Sequence, residues 1–321
     1  WHSLIYYIYN FFIMKILITG AAGYIGTKLV SELKKINHEI TCVDNLMFDQ
    51  KDLTLMNDKK INFVKGDVRN ETLIKDLIKK NDVFIPLAAI VGAPLSAKMP
   101  METEQINFES INFMCKNLSK DQRVIMPVTN SGYGIGKKDE MCDENSPLNP
   151  ISAYGQTKVR AEKVIMEREN SISFRLATVF GTSERMRVDL LVNNFTYIAV
   201  FEKYLKLYEP HFRRNYIHIL DVVKGLIFGI TNFEKLKNNI YNLGLSEANL
   251  TKEQLCKTIQ DIIPDFKYEI SLDGRDEDKR DYFVSNKKIE NMGFKAEHSL
   301  QAGILELKEY YNSNKSITKN Y

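Results

Sequence analysis

Four cysteines in 321 residues, Cys42, Cys115, Cys142 and Cys256, are few and far apart, and none stands in a C-x-x-C pair. That argues against a disulfide scaffold or a structural zinc and predicts a reducing, cytoplasmic setting. Charge of one sign is scarce too: 44 Lys and Arg face 41 Asp and Glu, a net charge of +3 with no long run of either. A nucleic-acid partner is therefore not expected. No repeat, low-complexity block or Pro/Gly-rich linker divides the chain, and no cluster of His, Cys and carboxylates suggests a metal. Long apolar runs are missing apart from the opening WHSLIYYIYNFFI. It is short of the roughly 20 residues a membrane helix needs, and it lacks the basic start and small-residue cleavage site of a signal peptide. A membrane partner is not expected, and residues 1–13 are read as an upstream-start or cloning artefact or, failing that, as an ordered arm.

What is present is ordinary soluble composition, 44% hydrophobic and 26% charged, in a chain long enough for one large domain or two packed ones. Up to about Gly181, short apolar runs (KILIT, EITCVD, NFVKGD, DVFIPLAA, RVIMPVT, SISFRLATVF) alternate with helical stretches such as ETLIKDLIKK and METEQINFESINFMCKNLSK. That alternation predicts an α/β fold, a Rossmann-like doubly wound parallel sheet covered on both faces. Beyond it the pattern loosens into VDLLVNNFTYIAV, KYLKLY, NYIHI, VVKGLIFGITNF and NIYNLG, then TKEQLCKTIQDII, the strand pair FKYEIS and DYFVS, and a last helix LQAGILELKEYYN. A smaller C-terminal α/β lobe is expected there.

ITGAAGYIG joins the first strand to the first helix, with glycines at Gly20, Gly23 and Gly26. G-x-x-G-x-x-G allows a tight turn, backbone N–H groups near a pyrophosphate and close helix packing, with Tyr24 and Ile25 in the first helical turn. Asp44, 18 residues past Gly26 in CVDN, can accept from both hydroxyls of an adenosine ribose, which favours NAD over NADP; otherwise it is a turn residue. Asn45 follows it, Asp67 and Val68 in KGDVRN face the adenine edge, and Leu87, Ala88 and Ala89 let a dinucleotide lie against the backbone. Residues 14–181 are thus expected to form the NAD-binding domain, with 214–243 returning to it, and 182–321 mainly the substrate lobe.

In SAYGQTKVRAEK, Tyr154 and Lys158 share one helical face. On an arbitrary helix this is a surface pair. With GAAGYIG, GDVRN, LAA, TNSGYG, YGQTK and RRNYIHILDV in order, however, the chain resembles the extended short-chain dehydrogenase/reductase family of nucleotide-sugar epimerases and dehydratases, from Met14 almost to the end. The resemblance implies NAD(H) as cofactor, Tyr154 as general acid/base, Lys158 as its charged neighbour and holder of the nicotinamide ribose, and Thr129 as hydrogen-bond partner of the substrate hydroxyl. A phenol titrates near pH 10, and an adjacent ammonium favours phenolate.

Family dehydratases carry Asp-Glu after the Thr; here Asn130 and Ser131 stand there, which predicts oxidation at a ring carbon without elimination. A nucleotide-diphosphate sugar is the implied partner, its phosphates gripped by Arg214 and Arg275, with Asn193 as a further contact. Arg187 is either another phosphate contact or a solvated charge, and His218 reads as a satisfied core histidine. Within the family, AAIVGAPL, TNSGYG and RLATVFGTSERMRVDLLVNNF look closest to GDP-manno-heptose 4-dehydrogenases of bacterial capsule synthesis. That implies a GDP-linked sugar. A UDP-linked hexose and 4-epimerase activity form the alternative, and a non-catalytic NAD sensor the rival from another class. The helices METEQINFESINFMCKNLSK and SAYGQTKVRAEKVIM correspond to those that pair relatives into homodimers, so a homodimer is expected.

Overall fold

The computed structural model describes residues 13–48, 57–137, 140–274 and 279–315. Residues 1–12, and Arg275 among the expected phosphate contacts, lie outside them. Strands β1 (Lys15–Thr19), β2 (Glu39–Asp44), β3 (Ile61–Lys65), β4 (Val83–Pro86), β5 (Arg123–Thr129), β7 (Ser171–Leu176) and β11 (Asn239–Leu243) form one sheet in the order β11-β7-β5-β4-β1-β2-β3. The pairs β1–β2, β2–β3, β1–β4 and β4–β5 all run parallel. Strand order reverses between β1 and β4, the position where open α/β sheets hold ligands beyond their carboxyl ends.

The chain forms two compact units. The first takes residues up to Val128, Ser152–Phe174 and Val223–Ile240. Its helices are α1 (Tyr24–Leu33), α2 (Glu71–Ile78), α3 (Ala93–Lys98), α4 (Pro100–Glu104), α5 (Ser110–Asn117), α6 (Ala153–Met166), α8 (Ile219–Thr231), which begins before the unit does, and α9 (Phe233–Leu236). Leu17, Val43, Phe84, Val124 and Met126 of the strands pack with Ile74, Ile111, Ala161 and Ile165 of the helices. The long stretch expected as one helix is broken: Gln105–Glu109 is a π-helical turn between α4 and α5. It centres on Asn107, whose buried amide donates to Ile90 O and accepts from Ile90 N, both at 2.8 Å. A π turn re-aims a side chain at little cost, and here it pins the loop after β4.

The second unit takes Thr129–Ile151, Arg175–Val222 and residues from Tyr241 onward. SISFRLATVF divides at Ala177: β7 ends at Leu176, and β8 (Thr178–Phe180) pairs in parallel with β10 (Arg213–His218), which also pairs with β12 (Asn249–Thr251). FKYEIS and DYFVS do not pair with each other. β13 (Lys267–Ile270) joins β9 (Tyr204–Leu207), and β14 (Phe283–Val284) joins β6 (Met141–Cys142). Buried Tyr133, Cys142, Tyr282 and Val284 form a small core around the latter pair, holding two-residue strands that local propensity alone would not. Helices α7 (Leu191–Phe201), α10 (Lys252–Ile262), α11 (Lys287–Asn291) and α12 (Leu300–Ser313) complete the unit. All four thiols are free, and among the described residues no helix is long and apolar enough to cross a membrane.

Candidate active site

In the first unit the expected dinucleotide contacts gather at the carboxyl ends of β1 to β4. Gly20 has φ +70°, and a Cβ there would sit 2.5 Å from Ala88 N. One on Gly26 would meet Gly20 O at 2.4 Å and Ala21 O at 2.5 Å. Only glycine lets the loop lie this close to β4 and to its own helix. Gly23 is the N-cap of α1 and brings no side chain across the helix's first N–H groups; Tyr24 and Ile25 follow it, the first buried and the second half-buried.

The loop is tied to β2, since Gly20 N donates to Val43 O at 2.8 Å and Ala22 N to Asp44 Oδ2 at 3.0 Å. Asp44 Oδ1 accepts from Leu46 N at 2.8 Å, so Asp44 is at once a turn residue and a brace of the glycine loop. A carboxylate oxygen has two lone pairs, so accepting from a backbone N–H does not bar either oxygen from a ribose hydroxyl. Asp67 accepts from Asn45 Nδ2 at 2.9 Å and from Arg69 through Nε and Nη2, and the Arg69 guanidinium holds its carboxyl far below the usual range. Val68 is buried, and Leu87, Ala88 and Ala89 are half-buried. The buried Thr19 hydroxyl at the end of β1 has no hydrogen-bond partner among the described residues. A glycine cradle that any side chain would fill, a helix start behind it, an acid at the end of β2 and this unsatisfied hydroxyl fit an NAD dinucleotide.

On α6, Ser152 caps the helix by accepting from Gly155 N at 3.1 Å, which sets the phase that puts Tyr154 and Lys158 one turn apart. Tyr154 is half-buried and its N–H meets Ser96 Oγ at 3.3 Å. Lys158 is only 5% exposed. Burial pulls its ammonium down to about 8, and Glu162 acts in the opposite direction. Glu162, one turn further on, is 3% exposed and accepts from Ser173 Oγ of β7 at 2.5 Å. Sequence reasoning passed over Ser96, Asn107 and Glu162, although a carboxylate one turn past a candidate catalytic lysine was a visible signal.

In the second unit, Thr129 ends β5 and caps the short 3-10 turn Asn130–Tyr133. Thr129 Oγ1 accepts from Ser131 N at 3.1 Å and lies 2.9 Å from Ser131 Oγ. Both atoms of the Asn130 amide are buried with no hydrogen-bond partner among the described residues, an arrangement costly enough to mark a contact completed by something else. Arg280, which sequence reasoning did not single out, donates to Ser131 Oγ. The turn is held from behind by Tyr133, whose hydroxyl donates to Asn242 Oδ1 at 2.7 Å and accepts from Arg175 Nη1 at 3.1 Å. Burial pushes that phenol up, so it serves as a neutral strut.

Arg214 is almost fully buried, donating to the carbonyls of Arg213 and Arg280. Asn193 is fully buried, accepting from Gly181 N at 3.0 Å and donating to Arg187 O at 2.9 Å. Arg187 pairs with Asp189. Buried His218 meets Glu306 at 2.9 Å and stacks on His298. Among the described residues no group of His, Cys, Asp and Glu is placed to hold a metal ion.

Residues 16–244 match the family described as the NAD dependent epimerase/dehydratase family. UDP-glucose 4-epimerase of Lactobacillus helveticus is 24% identical over 260 aligned positions, covering 73% of this chain and 78% of its own. dTDP-D-glucose 4,6-dehydratase of Dictyostelium discoideum is 26% identical over 372 positions, covering 97% of this chain and 84% of its own. Among solved structures, UDP-glucose 4-epimerase of Thermotoga maritima with UDP-glucose superposes with a TM-score of 0.78 at 22% identity, covering 94% of this chain and 100% of that one.

Proposed function

The chain belongs to the NAD-dependent epimerase/dehydratase family, and within it we propose that it oxidises C4 of a nucleotide-diphosphate sugar, GDP-manno-heptose foremost, to the 4-keto form. The observation that carries this is the Tyr154/Lys158 pair on α6, with an ammonium buried one helical turn from a phenol. Lys158 stabilises the phenolate, Tyr154 takes the proton of the C4 hydroxyl, and Thr129 hydrogen-bonds the same oxygen. The backbone of Gly20, Gly23 and Gly26 and the carboxylate of Asp44 would hold NAD, which when bound supplies the acceptor for the hydride leaving C4. The turn after Thr129 offers an amide at Asn130 and a hydroxyl at Ser131, neither of which protonates a leaving hydroxyl nor abstracts a carbon-bound proton at neutral pH, so oxidation stops short of elimination. Arg214, Arg275, Asn193 and Arg187 are the proposed contacts of the diphosphate half.

The GDP-heptose assignment, and with it a place in capsule synthesis, is supported by the stretches AAIVGAPL, TNSGYG and RLATVFGTSERMRVDLLVNNF. A second reading, UDP-hexose 4-epimerase, is favoured by the Lactobacillus helveticus relative and by the Thermotoga maritima epimerase solved with UDP-glucose. The protein is proposed to work in the cytoplasm as a homodimer built on α4, α5 and α6.

The test is a panel of GDP- and UDP-linked hexoses and heptoses with NAD, products read by mass and NMR, beside Tyr154→Phe. A product two mass units below a GDP-heptose, lost in the variant, supports the dehydrogenase. An equal-mass C4 epimer of a UDP-hexose establishes the epimerase instead, and no turnover on any sugar overturns both in favour of a sensor.

A further inference from the structure

We propose that Glu162 is a positioning residue for the acid/base pair, its buried carboxylate keeping Lys158 in the ammonium form that Tyr154 requires. The proposal rests on the role given to Tyr154 and Lys158 above. Three observations carry it. Glu162 follows Lys158 by four residues on α6, the spacing that stacks side chains on one helical face. Both side chains are buried, at 3% and 5% exposure, and burial disfavours the ammonium of Lys158. And Glu162 is anchored from the sheet by the neutral hydroxyl of Ser173 at 2.5 Å, which fixes the carboxylate without cancelling its charge.

Other charges on the elements around α6 are placed differently. Lys98 of α3, Glu109 of the π turn and Lys116 of α5 are exposed. Glu102 and Glu104 of α4 are half-buried, and Glu104 is paired with Arg160 at 2.8 Å. Arg175, on the same face of β7 as Ser173, is bonded to the Tyr133 hydroxyl. Among the charged groups of the described residues, Glu162 is the one that raises Lys158, against the desolvation that pulls it down to about 8.

The test combines two readouts on Glu162→Gln, which keeps a side-chain oxygen for Ser173, and on Glu162→Asp, which keeps the charge. The first is the titration of Lys158 itself, followed in the protein without substrate as the pH dependence of its reductive methylation and located by peptide mass. Its midpoint is expected to fall by about one unit or more in Glu162→Gln and to stay nearer the parent in Glu162→Asp. The second is kcat against pH on the sugar that the panel identifies. A fall of one unit from about 8 would cost Glu162→Gln about fivefold at pH 8 and almost nothing at pH 6, with KM changed less than twofold.

An unmoved Lys158 midpoint overturns the proposal whatever the activity. So does an equal loss of kcat at every pH, which a merely structural role would produce. A midpoint that moves in a protein without sugar turnover upholds the coupling and overturns the assigned reaction, so the two failures are told apart.

Discussion

Gly20→Ala is the sharpest perturbation of the cofactor loop. With φ at +70°, any L-residue there adopts the left-handed conformation, at a cost of about 1–2 kcal/mol. The added Cβ would also meet Ala88 N at 2.5 Å, Ala88 Cα at 2.7 Å and Leu87 C at 2.8 Å, all backbone atoms that no rotamer change can move. Neither side retreats freely, because Gly20 N is bonded to Val43 O at 2.8 Å and Leu87 N to Thr19 O at 2.9 Å. Overpacking of this kind costs about 1–3 kcal/mol, giving a total of roughly 2–5 kcal/mol. In a chain of 321 residues that corresponds to a fall in Tm of about 3–7 °C by calorimetry. Isothermal titration should show NAD affinity down by about tenfold or more, since 1.4 kcal/mol of lost contact suffices for that. A variant with parental Tm and parental NAD affinity would refute both the backbone conformation and the assignment of this loop to the cofactor.

Asp44→Asn replaces one acceptor of a backbone N–H by an amide donor, so it should cost about 1.5–3 kcal/mol in urea unfolding and also weaken NAD binding. Glu306 is drawn down to about 2 from 4.5: burial pushes it up, but hydrogen bonds from His218 and Thr182 outweigh this. Its contribution to stability is therefore complete above pH 4.5 and lost as pH falls towards 2. With over a third of its side chain exposed, that contribution is about 1–2 kcal/mol, and Glu306→Gln should show a shallower decline of Tm between pH 5 and 2 than the parent. Tyr133→Phe leaves the buried Asn242 carbonyl without its hydroxyl donor and should cost about 1–3 kcal/mol by denaturant titration.

The doubly wound sheet and the glycine loop were legible because their signals are local: continuous apolar strands, glycines at fixed spacing, an acid at the end of β2. What was not legible depends on distant partners. The switch of sheet at Ala177 follows from β10 lying some forty residues away; the strand in DYFVS was read, but its partner β6, two residues long, has no period to read. The π turn follows from Asn107 reaching the backbone of Ile90 on another segment. At the site, the pairing of Arg280 with Ser131 joins residues whose type announced nothing, and although Glu162 was visible one turn past Lys158, its anchor on Ser173 of β7 was not. Asp44 shows the opposite case, in which two sequence readings, turn residue and ribose acceptor, describe one carboxylate with lone pairs for both.

The central claim is that hydrogen leaves C4 of a nucleotide sugar when Tyr154 takes the hydroxyl proton. The most direct measurement supplies the sugar nucleotide with deuterium at C4, together with NAD, and reads the cofactor and the sugar by mass after a single turnover in parent and Tyr154→Phe. The account predicts one deuterium in the reduced cofactor and a 4-keto sugar, both at least a hundredfold slower to form in the variant, the order of loss for a missing general base. Deuterium retained at C4 while product forms, or parental rates in Tyr154→Phe, would contradict it.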